Sequence, residues 1–141
     1  MSEILSLHYE IPDDDFTRAG EASGNVKKKL KKLGINPEAI RKVAIAMYEG
    51  EINMVIHADG GTIDVSVLPD KIVMVLKDRG PGIPDIDLAM QEGYSTAGEN
   101  VRNLGFGAGM GLPNMKKYSD NMKIDTVIGE GTTVTMEVKL V

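Results

Sequence analysis

The sequence predicts one α/β domain over residues 1–141, and three observations predict it. Alternating or β-branched apolar runs mark five strand segments, at 3–11, 62–68, 71–77, 122–128 and 132–140. Between them, apolar residues recur at helical spacing over 12–33, 36–57 and about 109–119. The length of 141 residues suits a single buried core, and no repeat or linker divides the chain.

Taken in order, residues 3–11 read as a strand, with His8 an ordinary member of it. Pro12 and the three aspartates at 13–15 open a helix, because carboxylates suit the positive end of the helix dipole. Phe16, Ala19, Val26, Leu30 and Leu33 form its buried stripe, and Gly34 ends it. Asn36-Pro37-Glu38 is a second helix start, with Asn as cap, Pro at the first helical position and Glu in the first turn. That helix runs to about His57, with Ile40, Val43, Ala44, Met47 and Ile56 toward the core, and Asp59-Gly60-Gly61 breaks it. A turn at Pro69-Asp70 joins the next two strands. Residues 85–91 form a short helix, and 92–108, rich in Gly, Ser, Thr and Asn, read as a mobile loop of the kind that serves as a lid. Gly129-Glu130-Gly131 turns the last hairpin, and Val134, Met136, Val138 and Leu140 share one face.

Composition removes several classes of function. There is no cysteine, which excludes thiolate metal sites and speaks against a disulfide-stapled secreted fold. The N-terminus lacks a basic region followed by an apolar run, and no stretch approaches a membrane span, so a cytoplasmic location and no membrane partner are expected. A net charge of −5, no tryptophan and few aromatics argue against a nucleic-acid surface. Lys27-Lys28-Lys29 with Lys31-Lys32 is the local exception and reads as a solvated helix face.

The chemistry concentrates in residues 78–115. Asp78 precedes Gly80 and Gly82, so a carboxylate stands beside two positions where backbone can press on a flat ligand. Gly105, Gly107, Gly109 and Gly111 directly precede an apolar-periodic run of Leu112, Met115 and Tyr118. A glycine-rich loop feeding a helix N-terminus presents free N–H groups to phosphate. Adenine at one end and polyphosphate at the other make the ligand a nucleotide. On the second helix Glu49 and Asn53 are four residues apart and share a face, whereas Glu51, the competing acid, points to the other side. An amide oxygen can ligate Mg²⁺, which takes few protein ligands and completes its shell with phosphate and water. A neighbouring carboxylate can orient a hydroxyl or water for attack on the γ-phosphate.

Together these residues resemble the GHKL ATPase family, which includes gyrases and histidine kinases. Glu49-x-x-x-Asn53 is similar to its N box, and Asp78-x-Gly80-x-Gly82-Ile83 to its first glycine box. Gly109-x-Gly111-Leu112 is similar to the second, and Gly129-Glu130-Gly131-Thr132 to the closing Gly-x-Gly-Thr motif. The resemblance runs from about residue 36 to the C-terminus. Residues 90–96, Met-Gln-Glu-Gly-Tyr-Ser-Thr, and the glycine run from 105 to Pro113 resemble in particular the bacterial anti-sigma-factor and switch serine kinases. The resemblance implies an α/β (α+β) two-layer sandwich, with a mixed, mostly antiparallel sheet, about three helices on one face and ATP held between helices and a mobile lid. It implies ATP and Mg²⁺ as cofactors. Asn53 would hold the metal and Glu49 would position an attacking serine hydroxyl. Asp78 would accept a hydrogen bond from the adenine amino group, and Thr132, with its hydroxyl inward beneath the base, would support that contact, directly or through water. Gly80, Gly82, Ile83, Met110 and Leu112 would line the nucleotide, and Gly105, Gly107, Gly109 and Gly111 would wrap its phosphates. Gly50, inside the N-box helix, departs from a good helix former and would loosen Glu49. His57 is assigned to structure, while Arg102 stays open between a lid residue and a γ-phosphate contact.

The leading expectation is a serine/threonine protein kinase that phosphorylates a small anti-anti-sigma-like regulator, with a sigma factor or other signalling protein as a further partner. A homodimer is compatible with it. Two alternatives stand beside it: a nucleotide-gated binding module with little transfer activity, and a detached histidine-kinase catalytic domain. The latter needs a helix carrying a phosphoacceptor histidine, which the sequence does not contain. A P-loop kinase is excluded, since no Gly-Lys-Ser/Thr occurs.

Overall fold

The computed structural model describes residues 4–12, 20–57, 60–80, 82 and 111–140, with only the backbone described at 56, 57 and 111. Strand β1 (Leu5–Ile11) leads to helices α1 (Glu21–Lys32) and α2 (Pro37–His57). Strands β2 (Gly61–Val67) and β3 (Lys71–Asp78) follow, then helix α3 (Gly111–Lys117) and strands β4 (Asn121–Val127) and β5 (Gly131–Lys139).

The five strands form one sheet in the order β1-β2-β3-β5-β4. All four pairings are antiparallel, so the described sheet contains no parallel pair of the kind a mixed sheet would have. Alternation assigns the faces. Ile63, Val65 and Val67 of β2, Ile72, Met74 and Leu76 of β3, and Val134, Met136 and Val138 of β5 are buried beneath the helices. The residues between them, such as Asp64, Lys77 and Thr135, lie on the opposite face with more solvent contact. At the β2–β3 turn, the N–H of Leu68 donates to the Lys71 carbonyl at 2.8 Å. The last strand reaches the middle of the sheet, where β5 pairs with β3 on one side and β4 on the other. Strands on both sides and helices above cover the inward Val, Met and Val of β5, whereas no residue of the edge strand β4 is buried.

Helix α2 lies between α1 and α3, and Val43, Ala46, Met47 and Val55 are buried along it. Its start is capped as the residues predict, the Asn36 Oδ1 accepting the Glu38 N–H at 2.8 Å. Helix α1 differs from expectation. Gly20 has φ +98°, a left-handed conformation that no continuous helix from Pro12 can pass through, so the described helix begins at Glu21. Val26 and Leu30 are fully buried as the stripe requires, but Leu33, just past the helix, is 42 % exposed. The expected helix at 85–91 and loop at 92–108 lie outside the described residues. Among the described residues, no helix is long and apolar enough to cross a membrane.

Candidate functional site: the C-terminal half of α2 and the end of β3

Glu49 and Asn53 lie one turn apart on α2, and both meet α3. The side chain of Asn114 hydrogen-bonds the Glu49 carboxylate. The Asn53 Nδ2 donates to the Met115 Sδ at 3.8 Å. Glu49 is half-buried, and removal from water holds its carboxyl above the ordinary glutamate value, the Asn114 bond opposing that shift in part. With the amide nitrogen of Asn53 turned to Met115, its oxygen is the acceptor without a partner among the described residues. Asn114 was not singled out by sequence reasoning; the available signal was its position three residues after Gly111, on the helix that the glycine run feeds.

Gly50 turns out to serve packing. It is buried, and a Cβ there would fall 2.2 Å from the Leu76 Cδ2 and 3.2 Å from the Met115 Cε. The missing side chain lets α2 settle onto β3 and α3 in the turn that carries Glu49.

Glu51 answers the question of the competing acid. It is 2 % exposed and points away from Asn53, into the junction with α1. Its Oε2 accepts N–H bonds from Gly20 (2.9 Å) and Ala22 (3.2 Å), and its Oε1 accepts one from Ser23 (3.1 Å). Gly20 has no side chain to cap α1, so a carboxylate 28 to 31 residues away does it, favoured by the helix dipole. Burial and the Glu51 charge together raise the phenol of Tyr9 above its ordinary value. With both oxygens engaged at α1, Glu51 is not available on the face that carries Glu49 and Asn53.

The second part of the site is the end of β3. The Asp78 Oδ1 accepts the N–H of Gly80 at 3.0 Å and the N–H of Thr132 at 2.9 Å. These two bonds fix the carboxylate and leave Oδ2 without a partner among the described residues. Thr132 is 5 % exposed and shares the inward parity of Val134, Met136 and Val138. Its hydroxyl pairs with that of Thr126 at 3.0 Å, so the direct support it offers Asp78 comes from its backbone. Gly131 allows this approach. A Cβ there would lie 2.2 Å from the Asp78 carbonyl oxygen, and its φ of +145° is one that side chains resist. Gly131→Ala should therefore destabilise the fold by about 1–3 kcal/mol through backbone strain and displace Asp78. Urea unfolding together with an ATP titration checks it; unchanged stability and affinity would show that the Asp78 seat tolerates movement.

Backbone bonds tie the two parts together. The Arg79 N–H donates to the Gly60 carbonyl at 3.1 Å, and the Gly60 N–H to the Met54 carbonyl at 3.3 Å. The turn carrying Asn53 and the segment after Asp78 are thus fastened at the same end of the molecule. Gly82 lies against the β4–β5 turn, with Ile128 Cα 3.0 Å from where its Cβ would be. Gly111 opens α3, and Leu112 is half-buried against the core. Ile83, Gly105, Gly107, Gly109, Met110 and Arg102 lie outside the described residues, as does the side chain of His57.

Comparison with known proteins gives the same architecture. Residues 38–141 match the family described as histidine kinase-, DNA gyrase B-, and HSP90-like ATPase. The chain belongs to this ATPase family. Within the family it groups with the switch-kinase and anti-sigma-factor branch. It is 32 % identical over 124 residues to the serine/threonine-protein kinase RsbT of Bacillus subtilis, covering 85 % of each chain. It is 34 % identical over 104 residues to the anti-sigma F factor of Caldanaerobacter subterraneus, covering 70 % of this chain and 69 % of that one. The fold is similar to a crystal structure of the RsbU and RsbW domains of Rv1364c from Mycobacterium tuberculosis, with a TM-score of 0.66 at 17 % identity. That match covers 96 % of this chain and 32 % of the larger one.

Proposed function

We propose that the protein is an ATP-dependent serine/threonine protein kinase of the switch and anti-sigma-factor type, acting on a small regulatory protein in the cytoplasm. The observation that carries the assignment of roles is the separation of the two acids on α2. Glu51 is consumed in capping α1, whereas Glu49 stands a turn from Asn53 with a burial-raised pKa, as a general base requires. Asp78 receives the adenine amino group on its remaining oxygen. Glu49 would orient the incoming serine hydroxyl and take its proton as the hydroxyl oxygen bonds to the γ-phosphorus and the bond to the β–γ bridging oxygen breaks, releasing ADP. The residues present are compatible in chemistry with Mg²⁺: the Asn53 amide oxygen is left available by the bond from its nitrogen to Met115, and a metal that draws its other ligands from phosphate and water needs few from the protein. Asn53 would hold it, and the metal would neutralise phosphate charge. Incubation with labelled ATP and candidate regulators containing serine tests the reading, and absence of transfer to any of them would overturn it.

Sequestration of a partner gated by nucleotide is the second reading. It is favoured by the relatives named anti-sigma F factor. In that case binding would depend on ATP with no phosphate transferred.

Asp78→Asn should weaken ATP binding by about 1.5–3 kcal/mol, the range for a hydrogen bond to a charged group. The asparagine oxygen can still accept from Gly80 and Thr132, but its NH₂ then opposes the adenine amino group. Discrimination against GTP should fall as well, because guanine offers a carbonyl at that position. Calorimetric titration with both nucleotides checks this; unchanged ATP affinity would place the base elsewhere.

A further inference from the structure

Remote from the Asp78 pocket, α1 and α2 leave an open cavity of about 610 Å³ between them. Its floor is apolar, with Ile35, Ala44 and Ile45 half-buried and uncovered, and its rim carries Lys27, Lys31 and Arg41. Among the described residues, no acidic side chain lines it. Arg41 bonds Glu38 at 3.2 Å and stands 5.5 Å over the ring of Tyr118, which holds its guanidinium at the rim. Lys27 and Lys31 form no ion pair among the described residues.

The charge is concentrated against the trend of the chain. From Ala22 to Pro37 there are five lysines and no acid, within a protein of net charge −5. Lysines four apart on one helix repel each other, so their alignment along the groove gains the fold nothing by itself. Lys27 and Lys31 are about 6 Å apart along the axis, the rise of four helical residues. A partner helix lying in the groove would present carboxylates at i and i+4 with that same spacing, while its apolar face covers Ala44 and Ile45. Ile45 lies eight residues before Asn53, about 12 Å along α2, so an occupant would rest beside the phosphate end without filling it.

We infer that the α1–α2 groove is a docking site for an acidic amphipathic helix of a partner protein. The inference does not depend on whether the protein transfers phosphate. Its probe is a fluorescein-labelled synthetic 18-residue helical peptide with Leu on one face and Glu flanking it. One control has the same composition in scrambled order, and the other has Lys in place of Glu. Fluorescence anisotropy should show the acidic peptide binding at least tenfold more tightly than either control. Lys27→Glu combined with Lys31→Glu should lower that affinity at least tenfold. Ala44→Glu, which fills the groove with a like charge for the peptide, should do the same. The lysines are exposed, and unchanged melting and ATP affinity of both variants would confirm that only docking was lost. The inference is overturned by equal binding of the scrambled peptide, or by full affinity in the charge-reversed variant. It is overturned equally if the groove is occupied in solution by a second copy, seen as a dimer that Ala44→Glu dissociates. Lysine-dependent binding to vesicles containing phosphatidylserine, with no binding of the peptide, would assign the face to a membrane instead.

Discussion

Glu49→Gln should retain ATP and partner binding while slowing phosphate transfer by roughly 10²–10⁴, the usual share of a positioned acid or base. Glutamine preserves size and the hydrogen-bonding reach to Asn114, and a half-buried neutral amide asks less of its surroundings than a carboxylate, so a folding defect is not expected. Asn53→Ala should behave differently, losing Mg²⁺-dependent ATP affinity and transfer together. The pH dependence adds a second signature. Burial raises the Glu49 pKa, so the carboxyl keeps its proton to higher pH than a solvated glutamate. Only the ionised form accepts the serine proton, so the transfer rate should rise with pH through that raised pKa and be lost on acidification. Glu49→Gln should abolish this limb. Asn114→Ala, which removes the one contact favouring the ionised form, should move it to higher pH. Single-turnover transfer across pH measures all three. A fully active Glu49→Gln would transfer the role of base to another group, and the geometry leaves Glu51 unable to take it.

Glu51→Ala should cost stability rather than chemistry. It removes three hydrogen bonds to a charged acceptor and leaves the N–H groups of Ala22 and Ser23 buried without partners. Unsatisfied buried donors cost about 1–3 kcal/mol each. Release of the carboxylate from its own burial offsets part of that, so a net loss of about 3–4 kcal/mol is expected. Against a domain stability of about 5–15 kcal/mol this is a large fraction. Glu51→Gln should lose less, because the amide oxygen can keep the bonds from Gly20 and Ala22 while its NH₂ opposes Ser23. Urea unfolding of both variants gives the order wild type, Gln, Ala. Equal stability of all three would remove Glu51 from the cap of α1.

The two acids show where sequence reasoning stops. Helical periodicity puts residues 49 and 53 on one face and residue 51 on another, because 3.6 residues make a turn whatever surrounds the helix. It cannot say what Glu51 meets, since Gly20 to Ser23 are about thirty residues distant and come together only when α1 packs on α2. The same division holds at the end of β3. Asp78 followed by two glycines is legible from local backbone freedom alone as a place where backbone can press on a flat ligand. That its anchors are the N–H groups of Gly80 and Thr132 depends on β5 entering the sheet beside β3. Thr132 parity was legible from the alternation of Val134, Met136 and Val138, but the work of its hydroxyl, taken by Thr126, was not.

Local signals by themselves determined the Asn36 cap, the hairpin at Pro69-Asp70, the shared face of Val134, Met136 and Val138 in β5, and the Glu49–Asn53 spacing. Each rests on interactions within a few residues, where period and side-chain chemistry leave few alternatives. Tertiary structure decided the strand order, the antiparallel pairing throughout and the start of α1 after Gly20. It also decided the packing use of Gly50, the engagement of Glu51 and the bond from Asn114 to Glu49. These depend on segments far apart in sequence, whose meeting is selected by burial of the whole core, and no short window of residues carries that information.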